Sequence, residues 1–119
     1  MKAAIIAGCV VLSVLSAGTA QAGETLSKPI LPPPEYDYYY PGGFDVFTVP
    51  THSELVRMCG EEHEPFPSCS GKDPDGRCII LALPRDEMLA LGYVYDDVKR
   101  HEFGHCNGWP KSHIGIRKP

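Results

Sequence analysis

The chain has 119 residues, with 15 acidic against 11 basic side chains and a formal charge of −4 at neutral pH. That length leaves room for one domain. The acidic balance argues against a phosphate backbone as partner, so no nucleic acid is expected.

The chain opens as a secretory signal over residues 1–22. Lys2 supplies the positive start, Ala3 to Leu15 is an uncharged and mostly apolar run, and Ala20-Gln21-Ala22 places cleavage after Ala22. The segment Ile6-Ala7-Gly8-Cys9 resembles a lipid-attachment box, but the hydrophobic stretch before Cys9 is too short for processing there. Cleavage removes the only basic residue of the signal, and the exported chain then carries −5. No later apolar run is long enough to span a bilayer, so a periplasmic or secreted protein without stable membrane insertion is expected. Cleavage also removes Cys9 and leaves Cys59, Cys69, Cys78 and Cys106, an even number for an oxidising compartment. Four cysteines allow three pairings, and spacing alone does not choose among them. The preferred pairs are Cys69–Cys78, across a turn-rich loop, and Cys59–Cys106, between two helices.

Residues 23–43 read as a linker or extended arm, because Pro29, Pro32, Pro33, Pro34 and Pro41 forbid a helix. Its Tyr36-Asp37-Tyr38-Tyr39-Tyr40 cluster is expected to dock partly on the domain; the alternative is an arm that covers or feeds a cleft. The folded domain is expected over 44–119. Thr51 caps a first helix with Glu54 three residues on, Leu55, Val56 and Met58 are its apolar positions, and Gly60 stops it. Glu61 to Gly76 reads as loop, closing in the turn chemistry of Asp73-Pro74-Asp75-Gly76. The apolar run Cys78–Leu83, ended by Pro84, reads as a buried strand. Arg85–Leu91 is a short helix ended by Gly92. A last helix, capped by Asp96 or Asp97, runs to about Asn107, with Gly108 and Pro110 ending it. Helices and one strand of this kind make an α+β domain.

The last helix carries the chemistry. In His101-Glu102-Phe103-Gly104-His105 the two histidines lie four residues apart, one turn above the other on one helix face. Both rings then reach one metal ion, and Glu102 beside them can take a proton from a metal-activated water. A catalytic zinc usually has three protein ligands. No Asp or Glu follows His105, so the third candidate is His113, brought back by a turn that Gly108 permits and Pro110 enforces. His52 and His63 are the upstream competitors. Trp109 reads as a packing anchor under that turn, and Val98 and Phe103 as core. Tyr93 and Tyr95 are buried structural tyrosines, either of which could also donate to an oxyanion.

From His101 to His113 the chain resembles zincin metallopeptidases, and in particular small exported bacterial proteins with an HExxH-C-N-G-W-P segment followed by a histidine. The resemblance implies a zinc-dependent peptidase acting on a peptide or protein substrate, with His101, His105 and His113 as ligands and Glu102 as general base. It also implies a minimal zincin-like domain, in which the Thr51–Cys59 helix backs the motif helix and the strand Cys78–Leu83 borders the cleft. Two features depart from metzincins. Their third histidine stands six residues after the second, where this chain has Lys111, and no methionine follows the motif here. The other readings are a noncatalytic zinc-binding module stapled by disulfides, and an exported interaction protein docking through its tyrosine-rich arm.

Overall fold

The computed structural model describes residues 28–61 and 65–119. The signal segment, the start of the arm and His63 lie outside them. Three strands and three helices follow in order: β1 (Phe44–Thr48), α1 (His52–Cys59), β2 (Ser68–Lys72), β3 (Cys78–Ala82), α2 (Arg85–Ala90) and α3 (Tyr95–Cys106). The α+β class is therefore as expected.

The sheet is mixed, in the order β1-β3-β2, with β1 parallel and β2 antiparallel to the central β3. Cys78, Ile80 and Ala82 alternate with less buried neighbours along β3, the period-two pattern of a strand with one face on the core. Registered with them on the same face are Phe44 and Val46 of β1 and Ser68 and Ser70 of β2. Phe44 meets Phe103 of α3 edge to face, which places α3 over this side. Cys69, between the two serines, points the other way and is bonded to Cys59 of α1. The helices α1 and α3 thus flank the sheet on opposite sides.

The expected helix at 51–60 forms with the cap read from sequence: Thr51 Oγ1 accepts from the Glu54 amide at 3.2 Å, and Gly60 ends it at φ 102°. The role expected of that helix is corrected, because α1 packs on β2 and β3 while α2 is the helix packed against α3. The start of α3 also differs, since the helix begins at Tyr95 behind Val94, without a side-chain cap. Asp96 and Asp97 sit instead in its first turn, where negative charge complements the helix dipole. Two strands were not read from the sequence. Ser68–Lys72 lies inside the stretch taken as loop, because serine, glycine and lysine give it no apolar alternation.

Both preferred cysteine pairs are corrected. The bonds are Cys59–Cys69 and Cys78–Cys106. The sheet register explains why, since Cys69 faces α1 while Cys78, at the start of β3, faces the end of α3. Cys78–Cys106 spans 28 residues of sequence and ties the motif helix to the central strand, a constraint of roughly 3–4 kcal/mol on the unfolded chain. Two disulfides suggest an oxidising, extracellular setting. No helix among the described residues is long and apolar enough to cross a membrane.

The arm is part of the body. Ile30, Leu31 and Pro32 are buried, Leu31 forms a bridge with Arg117, and Asn107 Nδ2 donates to the carbonyls of Tyr36 and Tyr38. Asp37 accepts from both Arg100 and Arg117, and the Arg100 contact first of all holds its carboxyl below the ordinary range. The folded unit therefore starts ahead of Phe44.

Candidate metal centre

His101 and His105 stand on one face of α3, as their spacing requires, and the turn after Cys106 returns His113 to them. Gly108 takes φ 109°, and the Trp109 amide donates to the Gly104 carbonyl, so the chain reverses at once. His113 is itself left-handed at φ 60°, a conformation that costs a non-glycine residue on the order of 1 kcal/mol. The result is a group of three imidazoles that could hold a metal ion.

The nitrogen geometry is specific. His105 Nε2 stands 3.2 Å from His101 Nε2 and 3.1 Å from His113 Nε2. Ligands of a tetrahedral zinc, each about 2.0–2.1 Å from it, stand about 3.3 Å apart. The far side of two rings is already engaged: His101 Nδ1 lies 2.7 Å from the Ile30 carbonyl and His105 Nδ1 lies 2.9 Å from the Trp109 carbonyl. A carbonyl only accepts, so each Nδ1 carries the proton, and in the neutral ring each Nε2 is a bare lone pair. Two lone pairs 3.2 Å apart repel unless a cation lies between them. Backbone carbonyls thus fix the tautomer and aim of both rings, as in known zinc sites.

His101 is only 4% exposed, and Phe66 covers its ring at 4.4 Å between centroids. Burial pushes its imidazole down to about 3, with the neighbouring histidines adding to the effect. The unfolded chain takes up that proton near pH 6.5, whereas the folded metal-free protein stays neutral there until about 3. Folded stability is therefore fully present above about 6.5 and falls with pH through that window. Denaturant titration of the metal-free protein should show a loss of about 2–3 kcal/mol from this group between pH 6.5 and 4.5.

Glu102 is 2% exposed and lines the same cavity as the three histidines. Its Oε2 accepts from Ser68 Oγ at 2.5 Å and its Oε1 from Ser70 Oγ at 2.6 Å. Alternation along β2 puts both hydroxyls on the α3 side, and together they hold the carboxylate in one orientation. The cavity has a volume of about 480 Å³, and its apolar wall is built by Pro29, Phe66, Tyr93 and Ile116. Tyr93 is half-buried and burial pushes its phenol up, so it remains a hydrogen-bond donor at neutral pH. Tyr95 lies elsewhere, beneath the Arg85 guanidinium. Trp109 stacks on His105 at 4.7 Å and donates to the Ile114 carbonyl, the packing anchor expected of it. Among the described residues His52 is not part of the group.

Four contributors escaped the sequence reading: Ser68, Ser70, the Ile30 carbonyl and Gly104. The strand that borders the cavity is β2, not the Cys78–Leu83 run expected there. Gly104, inside the motif, had a usable signal, since glycine within a helix needs a reason. A Cβ on it would stand 2.7 Å from Pro32 Cβ and 3.1 Å from the Trp109 ring. Gly104 therefore lets the arm lie against α3 and present the Ile30 carbonyl to His101. Gly104→Ala is expected to push the arm away and weaken metal affinity about 10–100-fold, the range for a lost partner of a ligating histidine, as read by competition with a chromogenic chelator.

Fold and site together define an α+β domain, crosslinked by two disulfides, with a three-histidine group suited to a metal ion beside a buried carboxylate. No protein family model matches the chain, and neither does a curated protein or a solved structure.

Proposed function

We propose that the chain is an exported zinc-dependent peptidase of the zincin type, acting in the periplasm or outside the cell. The observation that carries this reading is the convergence of the His101 and His113 Nε2 atoms on His105 Nε2, at 3.2 and 3.1 Å, in a cavity that also holds the carboxylate of Glu102. An all-imidazole donor set suits zinc, and three protein ligands leave a fourth position open, the mark of a catalytic rather than a closed structural site. The N-terminal leader pattern and the two disulfides support export.

His101, His105 and His113 would hold the zinc, which when bound supplies a Lewis acid that makes hydroxide available at neutral pH. Glu102 takes the proton from the attacking water and later passes it to the departing amine. Ser68 and Ser70 hold the carboxylate in place for both transfers. Tyr93 offers a phenolic hydroxyl at the cavity wall, where charge on a scissile carbonyl oxygen would be stabilised by a donor.

One observation favours a second reading, a noncatalytic zinc module: both oxygens of Glu102 are already bonded to serine hydroxyls, as in a purely structural link between α3 and β2. The test is a proteome-derived peptide mixture incubated with the zinc-loaded chain and read by mass spectrometry. Cleavage that disappears on chelation and returns with zinc supports the peptidase. An intact mixture under both conditions rejects it.

A further inference from the structure

A second cavity of about 340 Å³ adjoins the first and shares Ser70 and Lys111 with it. Met58, Ile79, Leu81 and the Cys59–Cys69 disulfide give it an apolar floor, with Lys72 at its edge. Lys111 is exposed and stands where the two cavities meet. Among the described residues neither lysine has a carboxylate within ion-pair distance; Lys72 instead lies over the Tyr40 ring at 5.6 Å.

The charge balance here runs against that of the chain. The protein carries a formal −4, yet among the described residues the lining of the two cavities contains two lysines and one carboxylate. That carboxylate, Glu102, is buried and satisfied by two hydroxyls, whereas the lysines face solvent. A divalent cation on the histidines would add further positive charge. A cleft of one sign concentrates ligands of the other and repels like charge.

We infer that the protein selects peptides carrying a carboxylate close to a bulky apolar residue, with the apolar side chain in the first cavity and the carboxylate at Lys111. The inference rests on the peptidase reading and names its substrate class. The apolar wall of Phe66, Tyr93 and Ile116 accepts the large side chain. Lys111, at the junction, meets an acidic side chain or a chain-terminal carboxylate a residue or two along. Lys72 extends the positive field into the second cavity.

The test uses the zinc-loaded chain and two matched peptides, one with Phe-Asp and one with Phe-Lys at the same place. The wild type should favour the acidic peptide by about fivefold to tenfold in kcat/KM, mainly through KM, since one exposed ion pair contributes little more. Lys111→Glu should reverse that preference, and Lys111→Ala should abolish it. Equal cleavage of the two peptides by wild type, or an unchanged ratio in Lys111→Glu, overturns the inference while leaving the peptidase intact. If neither peptide is cleaved while the proteome-derived mixture is, the inference is overturned and the peptidase stands. If the mixture also stays intact, the peptidase reading fails, and the same pair is titrated against Trp109 fluorescence as plain ligands. Tighter binding of the acidic peptide then supports the charge selection, and equal binding overturns it.

Discussion

Replacing Glu102 by Gln is expected to leave zinc bound and to lower peptide hydrolysis by about 10²–10⁴-fold, the range for loss of a positioned general base. The substitution keeps the shape of the side chain. One Gln oxygen still accepts from a serine, and the new amide donates to the other serine, whose hydroxyl turns to accept. The fold should therefore survive, and metal content measured by mass spectrometry should match wild type. A noncatalytic module predicts something different: no hydrolysis by either protein, and at most a modest change in stability. Equal hydrolysis by wild type and Glu102→Gln would remove Glu102 from the mechanism.

Replacing His105 by Ala is expected to act on the metal itself, which Glu102→Gln leaves bound. An apparent zinc-binding energy of roughly 10 kcal/mol, divided among three nitrogens, assigns about 3 kcal/mol to each and predicts a loss of about two orders of magnitude in affinity. His105 is the most informative ligand to remove because its Nε2 stands within 3.2 Å of both others. Competition against a chelator of known affinity gives the number. The single tryptophan, stacked on the His105 ring, reports the same site optically. An unchanged affinity would mean that the metal, if any, is held elsewhere.

The parts of the centre that were legible in sequence share one property: they follow from local periodicity. Four-residue spacing puts His101 and His105 together on any helix, and a Gly and a Pro behind them reverse the chain toward His113. The Thr51 cap and the apolar run at Cys78 were readable for the same reason. What stayed hidden depends on which elements meet. Ser68 and Ser70 carry no strand signal, and only their pairing with β3 turns both hydroxyls to Glu102. The disulfide pairs follow from which face of the sheet each cysteine occupies, which spacing does not encode. The prolines of the arm exclude a long helix and its tyrosine cluster is expected to dock partly on the domain; the same stiffness lets the arm pack along the body as a strap. Ile30 is visible as one apolar residue in that strap; its carbonyl on His101 is visible only in three dimensions.

X-ray absorption at the zinc edge, on freshly purified full-length protein with its metal content measured in parallel, tests the three-imidazole site most directly. One zinc per chain, bound by three imidazole nitrogens and one oxygen donor at about 2.0–2.1 Å, is the predicted result. A sample that takes up no metal, or a spectrum showing sulfur ligands from cysteines assigned here to disulfides, would contradict it.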